Sequence, residues 1–200
     1  MNMKRAIRRL VGRIISRRSH YLLVTDLESN DIRASGGTKL EELTRDNLSD
    51  MMKNHRAEIS AEKEFDLTAR VEGRVLNCYA YVIKNRDDVI VGYTNFLTDQ
   101  CFSDKWTGLD TEIDSDTAFL CDCYIFMEFR SNLYGKDSAI LCFDEIRKLN
   151  KKYASVLTEQ RNSKAAGVLG SCGFNVVYSG HTYMFFGAFR HMKRVNAKTG

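Results

Sequence analysis

The sequence predicts a mixed α/β sheet in one domain, on three observations. Its 200 residues suffice for one ordinary domain around a single core. Hydrophobic residues at 44% and charged residues at 28% give the balance of a globular chain. Runs rich in β-branched and aromatic residues alternate with runs at helical spacing, in the order strand, helix, strand, strand, strand, helix, strand, helix, strand, strand.

The first segment, "MKRAIRRLVGRIISRR" (3 to 18), sets Ile7, Leu10, Val11, Ile14 and Ile15 at helical spacing among seven cations and no acid. It predicts a basic amphipathic helix, which either packs its apolar stripe on the domain or lies on an anionic membrane or nucleic acid. Residues 1–20 are therefore read as an arm and 21–200 as the domain; without the arm's cations the net charge of +4 turns slightly acidic.

"HYLLVTDL" (20 to 27) reads as a short strand, "TKLEELTRDNLSDMMKNH" (38 to 55) as a helix burying Leu40, Leu43, Leu48 and Met51 or Met52, and 57 to 72 as a second helical piece. "LNCYAYVIK" (76 to 84) and "DVIVGYTNFLT" (88 to 98) predict a hairpin turning at "NRDD". A polar segment with the single tryptophan, Trp106, and the acid-rich "DTEIDSD" follows.

"TAFLCDCYIFMEF" (117 to 129) is the longest apolar run, a central strand expected to be buried on both faces and interrupted by Asp122. After the loop "EFRSNLYGKDS", the segment "KDSAILCFDEIRKLNKKY" puts Ala139, Ile140, Cys142 or Phe143, Ile146 and Leu149 on one helical face. "ASVLTEQ" is a strand, "NSKAAGVLGSCGF" a helix ending near Gly170 to Gly173, and "NVVYSGHTYMFFGAF" a closing hairpin.

No apolar run reaches the roughly 20 residues of a membrane-spanning helix. The cysteines, Cys78, Cys101, Cys121, Cys123, Cys142 and Cys172, form no paired metal motif. With no secretory pattern at the start, they read as reduced thiols in a cytosol, either core residues or a redox or metal set. His20, His55, His181 and His191 are scattered without zinc-ligand spacing, so no metal is expected.

The strand, the Arg-x-x-x-x-Gly loop and the helix two thirds of the way along resemble the GCN5-related N-acetyltransferases, the GNAT family. That family's signature is Arg or Gln, two residues, Gly, one residue, then Gly or Ala; Arg130 and Gly135 match, and Leu133 replaces the first glycine. Asn162, Ala165, Gly173 and Phe174 fall at the family's later landmarks, and "VGY" ends the hairpin in the family manner. The resemblance spans roughly residues 38 to 189. It implies a mostly antiparallel central sheet flanked by helices and splayed at its central strands.

It also implies acetyl-coenzyme A as acyl donor. The loop Arg130, Ser131, Asn132, Leu133, Tyr134, Gly135, Lys136 would hold the pyrophosphate through backbone N–H groups and a helix N-terminus, the other reading being a solvated turn. Leu133 would be strained only if its position needs positive φ. The pantetheine arm would run along Ile125, Phe126 and Met127, and Asn162 joins the cofactor-binding positions.

For catalysis, Asp122 is the first candidate base, because a carboxylate inside an apolar strand should have a raised pKa; a hydrogen-bonded buried acid is the competing role. Glu128 and Glu159 stand in reserve. Where family members carry a tyrosine that protonates the leaving thiolate, this chain has Leu169. Tyr124 and Tyr183 are the substitutes, with aromatic packing as their alternative.

The expectation is an N-acetyltransferase acting by direct attack on a small-molecule amine, with a lean by resemblance to an amino sugar of surface polysaccharide synthesis. The alternative is a catalytically impaired GNAT-fold binding protein held to anionic membrane or nucleic acid by residues 3 to 18. Outside the arm no basic patch is interleaved with aromatics, so nucleic acid is disfavoured. A cytoplasmic, optionally membrane-peripheral protein fits, and a homodimer is compatible.

Overall fold

A computed structural model describes residues 15–104, 109–130, 133–185 and 189–196, with side chains placed over 19–100, 113–130 and 133–181. The strands are β1 (Ile15–Asp26), β2 (Thr38–Glu42), β3 (Cys78–Asn85), β4 (Ile90–Thr98), β5 (Cys101–Asp104), β6 (Leu109–Glu112), β7 (Thr117–Ile125), β8 (Tyr153–Glu159), β9 (Asn175–Phe185) and β10 (Phe189–Asn196). The helices are α1 (Arg45–His55), α2 (Ala61–Val71), α3 (Tyr134–Lys148) and α4 (Ser163–Ser171). Eight strands make one sheet in the order β10-β9-β1-β8-β7-β4-β3-β2, and β5 and β6 form a separate ribbon. Only β7 and β8 run parallel; the other neighbours in the eight-stranded sheet are antiparallel.

Two expectations are corrected here. Strand β1 starts at Ile15, so the end of the helix expected over 3 to 18 is strand, and residues assigned to the arm up to 20 belong to the sheet. Pairing of Ile15–Arg18 with β9, continued from His20 on by pairing with β8 as well, overrides the helical spacing. Residues 3 to 14 lie outside the described residues. The helix expected over 38 to 55 divides: Thr38–Glu42 pairs along β3, and α1 begins only after Thr44. There the Asn47 N–H donates to the Thr44 hydroxyl at 3.3 Å while the Thr44 N–H donates to the Asn47 side-chain oxygen at 2.8 Å. That reciprocal cap fixes the boundary, with asparagine where glutamate is usual.

Helices cover both faces of the sheet. Leu23, Phe96, Leu120, Ile140, Phe143, Ile146 and Phe174 bury against one another on the α3 and α4 side. Leu43, Leu48, Met51, Leu67, Val82, Tyr93 and Phe126 do so on the α1 and α2 side. Each such side chain contributes roughly 1.5–3 kcal/mol by leaving water.

Two irregularities in β7 shape the centre. Asn95 pairs with Asp122 and Phe96 with Leu120, which leaves Cys121 as the extra residue of a bulge. Further, β7 and β8 pair only over Thr117–Leu120 and Tyr153–Val156. Beyond that point β7 continues along β4 to Ile125, and β8 continues along β1 to Glu159. The sheet thus splits into two arms with a gap between them. Ala118, Phe119 and Leu120 are buried as expected of a central strand, but Cys121 to Ile125 are half-buried or exposed.

Candidate active site

The wall of the gap is the unpaired edge of β7. The Phe126 N–H donates to the Val91 carbonyl at 3.0 Å. Because an antiparallel ladder alternates, Tyr124 and Phe126 then bond toward β4, while the backbone groups of Cys123 and Ile125 point toward the side that β8 has left. Of the three positions expected to carry a pantetheine arm, Ile125 alone turns its backbone groups there, and of these its N–H alone is without a partner among the described residues. The Met127 N–H is held by the Glu58 carboxylate at 3.0 and 3.2 Å, and the Ile125 carbonyl accepts from Arg130 Nε at 2.9 Å.

At the C-terminal end of β7 the chain makes a tight turn, Met127–Phe129, and reaches the start of α3. Leu133 precedes that helix with φ −78 and ψ 3, so the position never needed glycine. Gly135 is not a steric necessity either: a Cβ there would meet Ile125 Cγ1 at 3.8 Å, an ordinary contact. The other three helices are capped by the side chains of Thr44, Ser60 and Asn162, whereas Leu133 provides no side-chain acceptor for α3. Among the described residues none accepts from its first N–H groups, those of Tyr134, Gly135 and Lys136, and such a helix start suits an anion. Ser131 and Asn132 lie outside the described residues. Lys136 is half-buried, and Tyr134 meets Phe129 edge-on at 6.4 Å. Arg130 turns back onto β7, its guanidinium 5.0 Å from the Tyr124 ring centre, rather than leaning over the loop.

Asn162 sits at the end of β8, where its side-chain oxygen accepts from the Ala165 N–H at 3.2 Å and caps α4. A local capping role therefore accounts for the oxygen. The starts of α3 and α4 follow the ends of the two parallel strands that part.

Asp122 is not the isolated carboxylate that the apolar strand suggested. Its Oδ2 accepts from Lys63 Nζ of α2 at 2.7 Å, and both side chains are half-buried. The bulge turns it to the α1 and α2 face together with Cys121. Tyr124, on the same face, stacks on Tyr93 and donates its hydroxyl to Glu58 at 2.9 Å. Burial, and then the bond to Glu58, hold the Tyr124 phenol above its usual range, so it stays protonated at neutral pH. Tyr183 lies on β9, opposite Arg17 of β1, and hence on the other arm from Tyr124; the structure does not bring the two together. Glu128 is exposed, 3.6 Å from the His55 ring, and Glu159 pairs with Arg161. Leu169 packs against the core under α3, so no hydroxyl enters from α4 at that position.

Sequence reading missed Glu58, Lys63, Arg70 and Asn95. Glu58 ties the turn between α1 and α2 to the end of β7. Lys63, Leu67 and Arg70 share one helical face, so two cations on an apolar stripe were the available signal. Asn95, an amide inside "VGYTNFLT", is fully buried, and its oxygen accepts from the Cys121 thiol. Burial pushes that thiol up to about 12 despite the nearby Arg70 guanidinium.

Among the cysteines with described side chains, Cys142 and Cys172 are buried in the core, Cys78 and Cys121 half-buried, and Cys123 exposed. Among the described residues no group of three or more His, Cys, Asp or Glu could hold a metal ion. No described helix is long and apolar enough to cross a membrane.

No protein-family model and no curated protein sequence matches the chain. Solved structures do. A conserved protein of unknown function from Staphylococcus epidermidis superposes with a TM-score of 0.61 at 11% identity, over 98% of this chain and 67% of that one. A tandem GNAT protein from the clavulanic acid biosynthesis pathway gives 0.57 at 14%, over 92% and 55%. A GCN5-related N-acetyltransferase from Sphaerobacter thermophilus gives 0.56 at 10%, over 97% and 57%. This chain thus spans little more than half the length of the last two. The chain has the fold of the GCN5-related N-acetyltransferases.

Proposed function

We propose that the chain is an acetyl-coenzyme A-dependent N-acetyltransferase, moving an acetyl group to the amine of a small molecule by direct attack in a ternary complex. The observation that carries this reading is the parting of β7 from β8 after Leu120 and Val156. It leaves an unpaired strand edge at Cys123 and Ile125, and the uncapped start of α3 follows the same strand. An extended amide chain can pair with such an edge, and a pyrophosphate suits such a helix start. The donor set therefore fits coenzyme A.

Acetyl-coenzyme A supplies an acetyl group activated as a thioester. In this reading the chain's own groups do three things. The edge of β7 orients the donor. The start of α3 and Lys136 neutralise phosphate charge. Asp122 accepts the amine proton directly or through water while the bond from Lys63 holds the carboxylate in place. Tyr124, protonated and tied to Glu58, is the hydroxyl we assign to the departing sulfur, with solvent as the fallback that Leu169 leaves. The lean toward an amino sugar rests on the basic start of the chain alone.

The test is a thermal shift of the full chain with acetyl-coenzyme A, desulfo-coenzyme A and ATP. Ligand at a hundred times its Kd stabilises by about 2.7 kcal/mol. Both coenzyme A species should raise the Tm and ATP should not. No shift at millimolar ligand would sink the reading, and binding to anionic vesicles through residues 3 to 18 would then be the function to pursue.

A further inference from the structure

We infer that the amine acceptor carries an oxyanion, a carboxylate or a phosphate, held beside Asp122 by Arg70 with Asn95. The inference deepens the acetyltransferase reading and rests on it for the word acceptor, though not for the anion site itself.

Charge comes first. Lys63 and Arg70 are seven residues apart on α2, two turns, so they stand on one face of the helix. Both reach the sheet: Lys63 bonds Asp122 on β7, and Arg70 bonds Cys78 on β3. Asp122 answers only one of the two cations. Arg70 is half-buried, and among the described residues its guanidinium makes no ion pair and one hydrogen bond, Nη1 to the Cys78 sulfur at 2.7 Å. A thiol is a weak acceptor for a guanidinium with five donors, and a half-buried guanidinium without an anion is a costly arrangement.

The second observation is independent. Asn95 Nδ2 is buried with no acceptor, on a side chain of 0% exposure, its oxygen already taken by the Cys121 thiol. Asn95 pairs across the ladder with Asp122. Cys78, which Arg70 bonds, and Cys121, which Asn95 bonds, pack against the same cluster of Leu97, Ile113 and Phe119, so the guanidinium and the carboxamide meet at the bulge. Donors without acceptors among the described residues therefore gather at the bulge: part of a guanidinium and the two N–H groups of one carboxamide. Such a set accepts an oxyanion in a planar fork.

The geometry also suits the chemistry. An anion on Arg70 would fix the far end of a substrate whose amine faces Asp122, so binding energy away from the reacting atom orients it.

The test has two arms on the full chain. In the first, release of coenzyme A is followed with matched amines: amino acids against their decarboxylated counterparts, and glucosamine 6-phosphate against glucosamine. The anionic member of a pair should have at least tenfold higher kcat/KM. In Arg70→Gln that advantage should vanish through KM, with the acetyl-coenzyme A affinity unchanged, and Arg70→Lys should restore part of it. Which pair responds separates carboxylate from phosphate. Equal use of both members, with acetyl-coenzyme A binding intact, overturns the inference while the acetyltransferase reading stands. In the second arm, the Arg70 Nε–H NMR resonance is titrated with acetate and with inorganic phosphate in the absence of any coenzyme A. A saturable shift is expected, and its absence with both anions overturns the site whatever acetyl-coenzyme A does.

Discussion

The two halves of β7 obey different rules although they share one partner. Thr117–Leu120 lies between β4 and β8, and Ala118, Phe119 and Leu120 are at most 5% exposed. Cys121–Ile125 keeps β4 but loses β8, and it carries an acid, an exposed thiol and a phenol instead. The same strand is core in one half and wall in the other. What separates them is one missing ladder, introduced where the bulge twists the strand. Removing a neighbour exposes both backbone groups and side chains, and those are what a ligand can use.

The largest expected effect breaks the buried half. Phe119→Ala removes a side chain of 1% exposure and should cost about 4 kcal/mol in urea unfolding, with coenzyme A affinity of the folded molecules intact. Loss of affinity at full folding would show that the halves are not separable.

Gly92→Ala attacks the wall through its backbone. A Cβ on Gly92 would lie 2.1 Å from the Tyr124 carbonyl oxygen and 3.1 Å from Ile125 Cα, contacts that only a backbone shift relieves. We expect roughly 3 kcal/mol of destabilisation together with weakened coenzyme A binding, because the shifted atoms are the wall itself. A stable variant with unchanged affinity would contradict the placement of the ligand.

Asp122→Asn keeps the shape of the wall and removes its charge. Turnover with a saturating amine should fall about 100-fold, the low end of general-base catalysis, while stability changes by under about 1 kcal/mol because the Lys63 pair is only half-buried. Unchanged turnover would leave Asp122 as Lys63's partner only.

Tyr124→Phe deletes a single hydrogen bond to Glu58 and should cost about 1 kcal/mol. A larger loss would mean that Glu58 also holds the Met127 turn through Tyr124.

The smallest effect at neutral pH belongs to the bulge. Cys121 is raised from 9.0 to about 12, so the folded state prefers the neutral thiol. Its contribution to stability is complete below pH 9 and is lost as pH rises from there toward 12, where the unfolded chain ionises first. Chemical denaturation across that range should show the decline, and Cys121→Ser should reduce its slope by the share of one thiol, since burial also raises Cys78, Cys123, Cys142 and Cys172.

Much of the fold was legible. The hairpin at "NRDD", the run 117–129, the helix after the loop and the helix that Asn162 caps were marked by period, turn chemistry and capping residues, all local effects. β2 was not, because Leu40 and Leu43 fit a helical face as well as an edge strand, and only pairing with β3 chooses between them. β5 and β6 escaped for lack of any apolar alternation. In the site, the loop and Asp122 stood out, one as a break between elements and one as a charge in an apolar run. Glu58, Arg70 and Asn95 did not, since each matters through a partner on another element.

By itself, then, the sequence determined the elements with strong local signals, the position of the loop before α3, and the single acid of β7. Spacing, capping and turn residues act within a few positions of the chain, so they can be read from it. Only the tertiary structure decided that β1 enters between β8 and β9, that β7 and β8 part after four paired residues, and that Lys63 meets Asp122. These depend on contacts between residues as far apart in the chain as Ile15 and Phe185, where burial and ladder pairing outweigh any local preference.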